Sequence, residues 1–181
     1  MKQKCWMMVV LLVICVLVPG RVCFALRSSG NPGTAIGMGA HYHVALSQLE
    51  GTEFDDNYLS YLVGLKFRPN NQWTIDAVLE YYPSGEDISH IISPRLSFLY
   101  GSGFYFGTGT EWRYVKLESG ESNWNDQTYF VQAGFEMPLG GDNALNLDAY
   151  YGLESLSDIS DVITDFDSDH LTFGIGFYHY F

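Results

Sequence analysis

Basic side chains are scarce in this chain. Nine Lys and Arg stand against 21 Asp and Glu in 181 residues, a formal net charge of -12, and charged residues of both signs make up only 17%. Three of the bases, Lys2, Lys4 and Arg21, lie within the first 21 residues. The rest cannot build the basic face that recognition of a nucleic-acid backbone requires. Cysteine is missing after Cys23. Apolar runs of the roughly 20 residues a spanning helix needs are missing too: the run at 6–18 stops at 13 residues, before Pro19 and Gly20. Beyond it no helical periodicity is evident. What the chain has in quantity is hydrophobic residues, 47% of the total, with aromatics alone at 16%, which excludes a disordered chain.

Lys2 and Lys4 precede the apolar run, and Cys23-Phe24-Ala25 follows it with the small-x-small pattern of a peptidase site. Residues 1–25 are therefore read as a secretory signal peptide, removed on export. A lipid anchor is not implied, because Ile14 and Val22 precede Cys15 and Cys23 where a lipobox carries a small residue. Removal of 1–25 takes away all three cysteines (Cys5, Cys15, Cys23) and leaves six bases and 21 acids, a net charge of -15. A chain without cysteine suits an oxidising compartment. Residues 26–33 read as a short periplasmic segment and 34–181 as one domain. With no spanning helix left, any membrane-spanning state has to be a β-barrel.

From residue 34 the apolar residues recur with period two, the signature of strands with one apolar face. Eight segments are expected. The first carries Ile36, Met38, Ala40, Tyr42, Val44 and Leu46 on its apolar face, the second Leu59, Tyr61, Val63, Leu65 and Phe67, and the third Trp73, Ile75, Ala77, Leu79 and Tyr81. The fourth has Ile92, Leu96, Phe98 and Tyr100 in phase with Pro94, so a bulge at Pro94 or a strand beginning after it is expected. The fifth runs from Phe104 to Tyr114 through Trp112, the sixth from Tyr129 to Met137, the seventh from Leu145 through Tyr151 to Leu153, and the last from Leu171 to Phe181. Short links at 69–72, 101–103 and 138–144 alternate with longer ones at 48–57, 83–90, 116–127 and 155–169. The simplest topology is an antiparallel meander closed on itself, which removes both sheet edges.

The polar faces decide which side meets lipid. Lys66, Arg68, Asp76, Glu80, Arg95, Glu111, Arg113, Glu136, Asp148 and Glu154 all lie opposite the apolar face, among glycines such as Gly37, Gly64, Gly134 and Gly174. Six acids and four bases can neutralise one another in a closed lumen, and small residues make room for long ionic ones. Aromatic residues gather toward both ends of the apolar face. Phe67, Trp73, Phe98, Tyr100, Phe104 and Phe181 lie on the short-turn side, and Tyr42, Tyr61, Tyr81, Trp112, Tyr114, Tyr129 and Tyr151 on the long-loop side. Two aromatic girdles around an apolar band mark a wall that faces lipid.

On these features, and on a last strand ending in Phe181 with Phe173, Ile175 and Phe177 on one face, the chain resembles the small bacterial outer-membrane barrels of the OmpX and OmpA transmembrane type. The resemblance implies an all-β, eight-stranded antiparallel up-and-down barrel in the outer membrane of a Gram-negative-type bacterium. It implies short periplasmic turns and acidic extracellular loops. It also implies that Phe173, Ile175, Phe177 and Phe181 serve as the signal read by the barrel assembly machinery, with His179 a departure from the usual residue two before the end.

No cofactor is implied, and the ionic lumen reads as a structural salt-bridge network. His41 and His43 point inward at i and i+2 and could share a metal, but no third ligand is placed; His170 points inward at the top of the last strand. Glu86, Ser89 and His90 offer the residue types of acyl transfer without a recognisable lipid A deacylase signature. Asp165, Asp167 and Asp169 have calcium-like spacing, but an EF-hand needs Gly and Glu where His170 and Gly176 stand. The four long loops hold 14 acids and one base, Lys116. The expected role is non-enzymatic, structural or surface-interacting (adhesion-like) through those loops. The expected partners are membrane lipid, lipopolysaccharide, the assembly machinery and an extracellular molecule, with no nucleic acid and a monomeric state. The alternatives are a lipid A-modifying enzyme and a carrier of small hydrophobic molecules with lateral exit near Pro94.

Overall fold

Strands whose side chains alternate between apolar and polar have one face for each of two environments, and closing such a sheet separates the environments completely. In this computed structural model, residues 32–44, 58–83, 88–125, 127–153, 155 and 166–181 are described. The signal-peptide reading of 1–25 lies outside them. Ten strands are present among the described residues: β1 (Gly33–His43), β2 (Tyr58–Arg68), β3 (Trp73–Tyr82), β4 (Ile88–Ser102), β5 (Phe104–Glu111), β6 (Tyr114–Leu117), β7 (Ser122–Trp124), β8 (Thr128–Gly140), β9 (Asn143–Leu153) and β10 (Leu171–Tyr180). Every pairing is antiparallel, and the circuit β1–β2–β3–β4–β5–β8–β9–β10 closes through β10 and β1, from Ala35 opposite Tyr180 to His43 opposite Thr172. β6 extends the line of β5 along β4, and β7 folds back on β6. The ten segments thus form an eight-stranded closed barrel.

The outward positions are apolar and exposed, among them Met38 (67%), Val63, Leu65, Phe67, Leu79, Phe98, Phe106, Ile175 and Phe177. The inward positions include Lys66, Glu80 and Glu136, each at most 2% exposed. An eleven-residue strand such as β2 rises about 33 Å, and the usual barrel tilt reduces that to about 25 Å of height, the thickness of a bilayer's apolar band. The wall is therefore matched to hydrocarbon rather than to water.

Several local expectations are corrected. β1 spans Gly33–His43, with the Val44 amide donating to Leu171 O at 3.0 Å, while Leu46, expected on the same strand, lies outside the described residues. β4 runs through Pro94 without a bulge there, Pro94 lying opposite Leu79. The missing proline amide is matched on the other side, where β5 stops at Glu111 and β6 starts at Tyr114 in the same register. The Trp112 amide donates to Pro94 O at 3.1 Å across that lapse. The expected fifth strand is thus broken at Trp112 and Arg113. The link at 116–127 is largely the β6–β7 hairpin, turning at Gly120 with φ +91°. The link at 138–144 shrinks to Gly141 and Asp142, since Gly140 already pairs with Asn143. Tyr151 and Leu153, expected on the lipid-facing side, are 9% and 4% exposed. Tyr151 is covered by Phe166 and by the His170 ring, stacked at 5.4 Å, while its hydroxyl accepts from the Asp167 amide at 3.2 Å.

Candidate functional site

The lumen gathers residues from every stave into tiers. At the short-turn end the Arg68 guanidinium grips Glu136 through three contacts of 3.1 to 3.2 Å and donates from Nε to Thr74 Oγ1 at 3.2 Å. The Tyr180 hydroxyl donates to Glu136 Oε2 at 2.6 Å. Lys66 Nζ lies 3.9 Å from both Glu136 and Asp76 and 4.1 Å from the centre of the Tyr178 ring. Asn146 is wholly buried between an ammonium donor and a carboxylate acceptor, so the orientation that satisfies both puts its amide oxygen toward Lys66 and its nitrogen toward Glu136 Oε2 at 3.3 Å. Gly37 and Gly64 make this packing possible, because a Cβ at either would enter Tyr178. Charges removed from water are costly unless they are paired and hydrogen-bonded; Arg68 and Glu136 are both, whereas Lys66 and Asp76 face each other at 3.9 Å and Asp76 Oδ1 has no hydrogen-bond partner among the described residues.

In the middle tier, the Tyr105 hydroxyl and Gln132 Nε2 donate to Asp148 Oδ1, the latter at 3.2 Å. Gln132 also reaches the Tyr150 hydroxyl at 3.0 Å. Arg95 sits 4.7 Å from the centre of the Tyr150 ring and 5.7 Å from that of Phe130.

The upper tier is organised around Glu80. Its Oε1 accepts from His41 Nδ1 at 2.8 Å, from His43 Nε2 at 3.1 Å and from the Ser60 hydroxyl. Its Oε2 faces Arg95 Nε at 3.3 Å. His43 Nδ1 is in turn bonded to Thr172 Oγ1 at 2.9 Å. Toward the mouth, Arg113 pairs with Glu111, which also accepts from Thr128 at 3.3 Å and from Ser93 at 3.4 Å. A cavity of about 40 Å³, room for a water or two, opens there between His43, Arg95, Arg113, Tyr150, His170 and Thr172. Tyr82, Ile88, Ile91 and Val115 close an apolar cluster beside it.

Chemically, this interior is a filled one, as expected for eight strands. Of the ten lumen charges named from the sequence, Glu154 lies outside the described residues. Lys66, Arg68, Asp76, Glu80, Arg95, Glu111 and Glu136 are buried, and Arg113 and Asp148 half-buried. The remaining candidates are described only in part. Glu86 and Asp165 lie outside the described residues. His90 stacks on the wall residue Tyr81, its centroid 6.1 Å away, with Ser89 Oγ 3.3 Å from its Nδ1. Asp167 and Asp169 form a small turn in which the Asp169 amide donates to Asp167 Oδ1 at 3.1 Å. Phe173, Ile175, Phe177 and Phe181 lie exposed on the wall of the closing strand and its end.

Sequence reasoning did not find the Ser60, His43 and Glu80 contact, which joins three strands. It carries the residue types of nucleophilic catalysis but not the arrangement. In a working triad the acid orients the far nitrogen of the base, whereas here Ser60 and Glu80 share His43 Nε2 and Thr172 holds Nδ1.

No protein-family profile matches the chain. No curated protein matches it either. Among solved structures, the outer membrane protein OprG of Pseudomonas aeruginosa superposes with a TM-score of 0.52 at 15% identity, over 84% of this chain and 98% of that one. The N-terminal β-barrel domain of Pseudomonas aeruginosa OprF superposes with a TM-score of 0.50 at 11% identity, over 83% and 98%. The fold is that of the eight-stranded outer-membrane barrels, the same architecture as the OmpX and OmpA type.

Proposed function

We propose that this chain is a non-enzymatic barrel of the bacterial outer membrane, in which a lipid-solvated wall and a filled lumen form a rigid base. In this reading its acidic outer end engages molecules outside the cell. The carrying observation is the inversion of burial: Met38, Val63, Leu65 and Ile175 are at least half exposed on the wall, while Lys66, Glu80 and Glu136 are sealed inside. Water would solvate the reverse arrangement. The paired lumen supports a structural role over a diffusion pore, because a conducting path would have to separate Arg68 from Glu136 and Arg95 from Glu80. The likeness to OprG and OprF supports the fold on which this reading rests.

With 14 acids in the loops, contact with anionic lipopolysaccharide requires bridging divalent cations. Specificity toward an extracellular partner then resides in the loops, and assembly in the wall residues Phe173, Ile175, Phe177 and Phe181. The test has two arms. The protein should fractionate with outer membranes and migrate differently on gels before and after heating; a water-soluble monomer without that shift refutes the reading. Replacing the four long links by short turns should preserve the shift and abolish binding to a host-cell or matrix surface. Unchanged binding by the shortened barrel would place the working surface elsewhere.

A further inference from the structure

The strongest unassigned constellation is the one around Glu80. His41 and His43 stand at i and i+2 on β1, Ser60 lies opposite His41 on β2, and Glu80 on β3 lies opposite Leu62, two residues along from Ser60. All four residues are at most 4% exposed. One nitrogen of each histidine and one oxygen of Glu80 lie within 4.8 Å of one another. Tetrahedral ligation with bonds of about 2.0 to 2.1 Å puts neighbouring ligand atoms about 3.3 Å apart. The separations here are 2.8 Å from His41 Nδ1 to Glu80, 3.1 Å from His43 Nε2 to Glu80 and 2.9 Å from His43 Nε2 to Ser60 Oγ. These three separations lie within about 0.5 Å of that edge length, and the two histidine nitrogens lie within 4.8 Å of each other.

The surroundings are built to hold these groups. Thr172 Oγ1 fixes His43 Nδ1, the outer contact that orients a metal-binding imidazole. His41 packs against the Tyr150 ring and His43 against that of Tyr82, both at 5.0 Å. Gly174 leaves the space that His41 fills, since a Cβ there would fall 2.8 Å from His41 Nε2. The cavity toward the mouth borders His43. Arg95 is the opposing element: it faces Glu80 Oε2 and comes within 3.2 Å of His41 Nδ1. Its charge competes with a cation at Oε1.

We propose that His41 Nδ1, His43 Nε2 and Glu80 Oε1 bind a divalent ion of the Zn²⁺ class, with Ser60 Oγ or a water at the fourth corner. Two imidazoles and one carboxylate select zinc and its d-block neighbours over Mg²⁺ or Ca²⁺. The bound ion tethers β1 to β3 across β2. It stabilises the folded barrel in proportion to its free concentration, since the ligands converge only in that state.

The experiment is a Co²⁺ titration of the folded full chain in detergent micelles, followed by Zn²⁺ displacement. The expected result is one equivalent of Co²⁺ with the intense visible bands of a tetrahedral site, lost on adding Zn²⁺, and a barrel unfolding temperature raised by Zn²⁺ but not by Mg²⁺. Glu80→Gln, and His41→Asn with His43→Asn, should weaken binding by about a hundredfold or more, since loss of an outer-shell partner alone costs 10- to 100-fold. Arg95→Gln should tighten it, and Asp167→Asn with Asp169→Asn should leave it unchanged. Folding of each variant is read from the heat-dependent gel shift. Should Glu80→Gln not fold, the wild-type spectrum decides. Weak octahedral bands, no binding by the folded wild-type protein, or binding that survives in the histidine variant would each overturn the proposal.

Discussion

The wall and the lumen of this barrel are made by the same strands, one residue apart, and obey opposite rules. On β2, Val63, Leu65 and Phe67 are more than half exposed, whereas their neighbours Leu62, Lys66 and Arg68 are buried. The wall tolerates any apolar shape because lipid adapts to it, and its side chains need no partners. The lumen is a fixed volume whose contents must match one another in charge and size, as the glycines beneath Tyr178 and the carbonyl-side oxygen of Asn146 toward Lys66 illustrate. Stability per substitution should therefore depend on which side of the strand is changed, and for different reasons.

The largest effect is expected inside. Glu136→Ala leaves the Arg68 and Lys66 charges buried without their shared partner and should cost about 3 to 5 kcal/mol of unfolding free energy in urea titrations from lipid vesicles. On the wall, Val63→Arg and Ala149→Arg place a charge at mid-band height and should cost about 2 to 4 kcal/mol in the same measurement. Equal tolerance of arginine on both faces would dissolve the distinction. Ser60→Arg sharpens it: Ser60 is fully buried between His43 and Glu80, so an inward arginine overpacks the lumen at a cost of about 1 to 3 kcal/mol. At the bottom of the scale, Lys116→Gln on the exposed side of β6 should shift stability by less than about 0.5 kcal/mol.

Period-two alternation made much of this architecture legible from residues alone. The strands and the inward placement of Lys66, Arg68, Asp76, Glu80, Arg95 and Glu136 follow from it, because a one-residue slip would put every charge in the lipid. What alternation does not contain is the stagger between strands. Glu80 comes to His41 and His43 only through the β1–β2 and β2–β3 registers, across 39 and 37 residues of sequence, so this partner of the histidine pair was invisible. Pro94 was legible as a disturbance, but its consequence fell on Trp112 and Arg113 of the neighbouring strand. Tyr151 had the phase of a wall residue, yet the chain at 166–170 folds over it, a contact set by a loop rather than by the strand's own pattern.

Because residues 26–181 contain no cysteine, single cysteines can be introduced one at a time along β2, from 59 to 67, and labelled with a nitroxide in lipid bilayers. The account predicts an alternating record: labels at 59, 61, 63, 65 and 67 collide with lipid-dissolved oxygen and are shielded from a water-soluble nickel complex, while those at 60, 62, 64 and 66 are immobilised and shielded from both. Labels at the odd positions that meet the nickel complex, or a record without alternation, would contradict it.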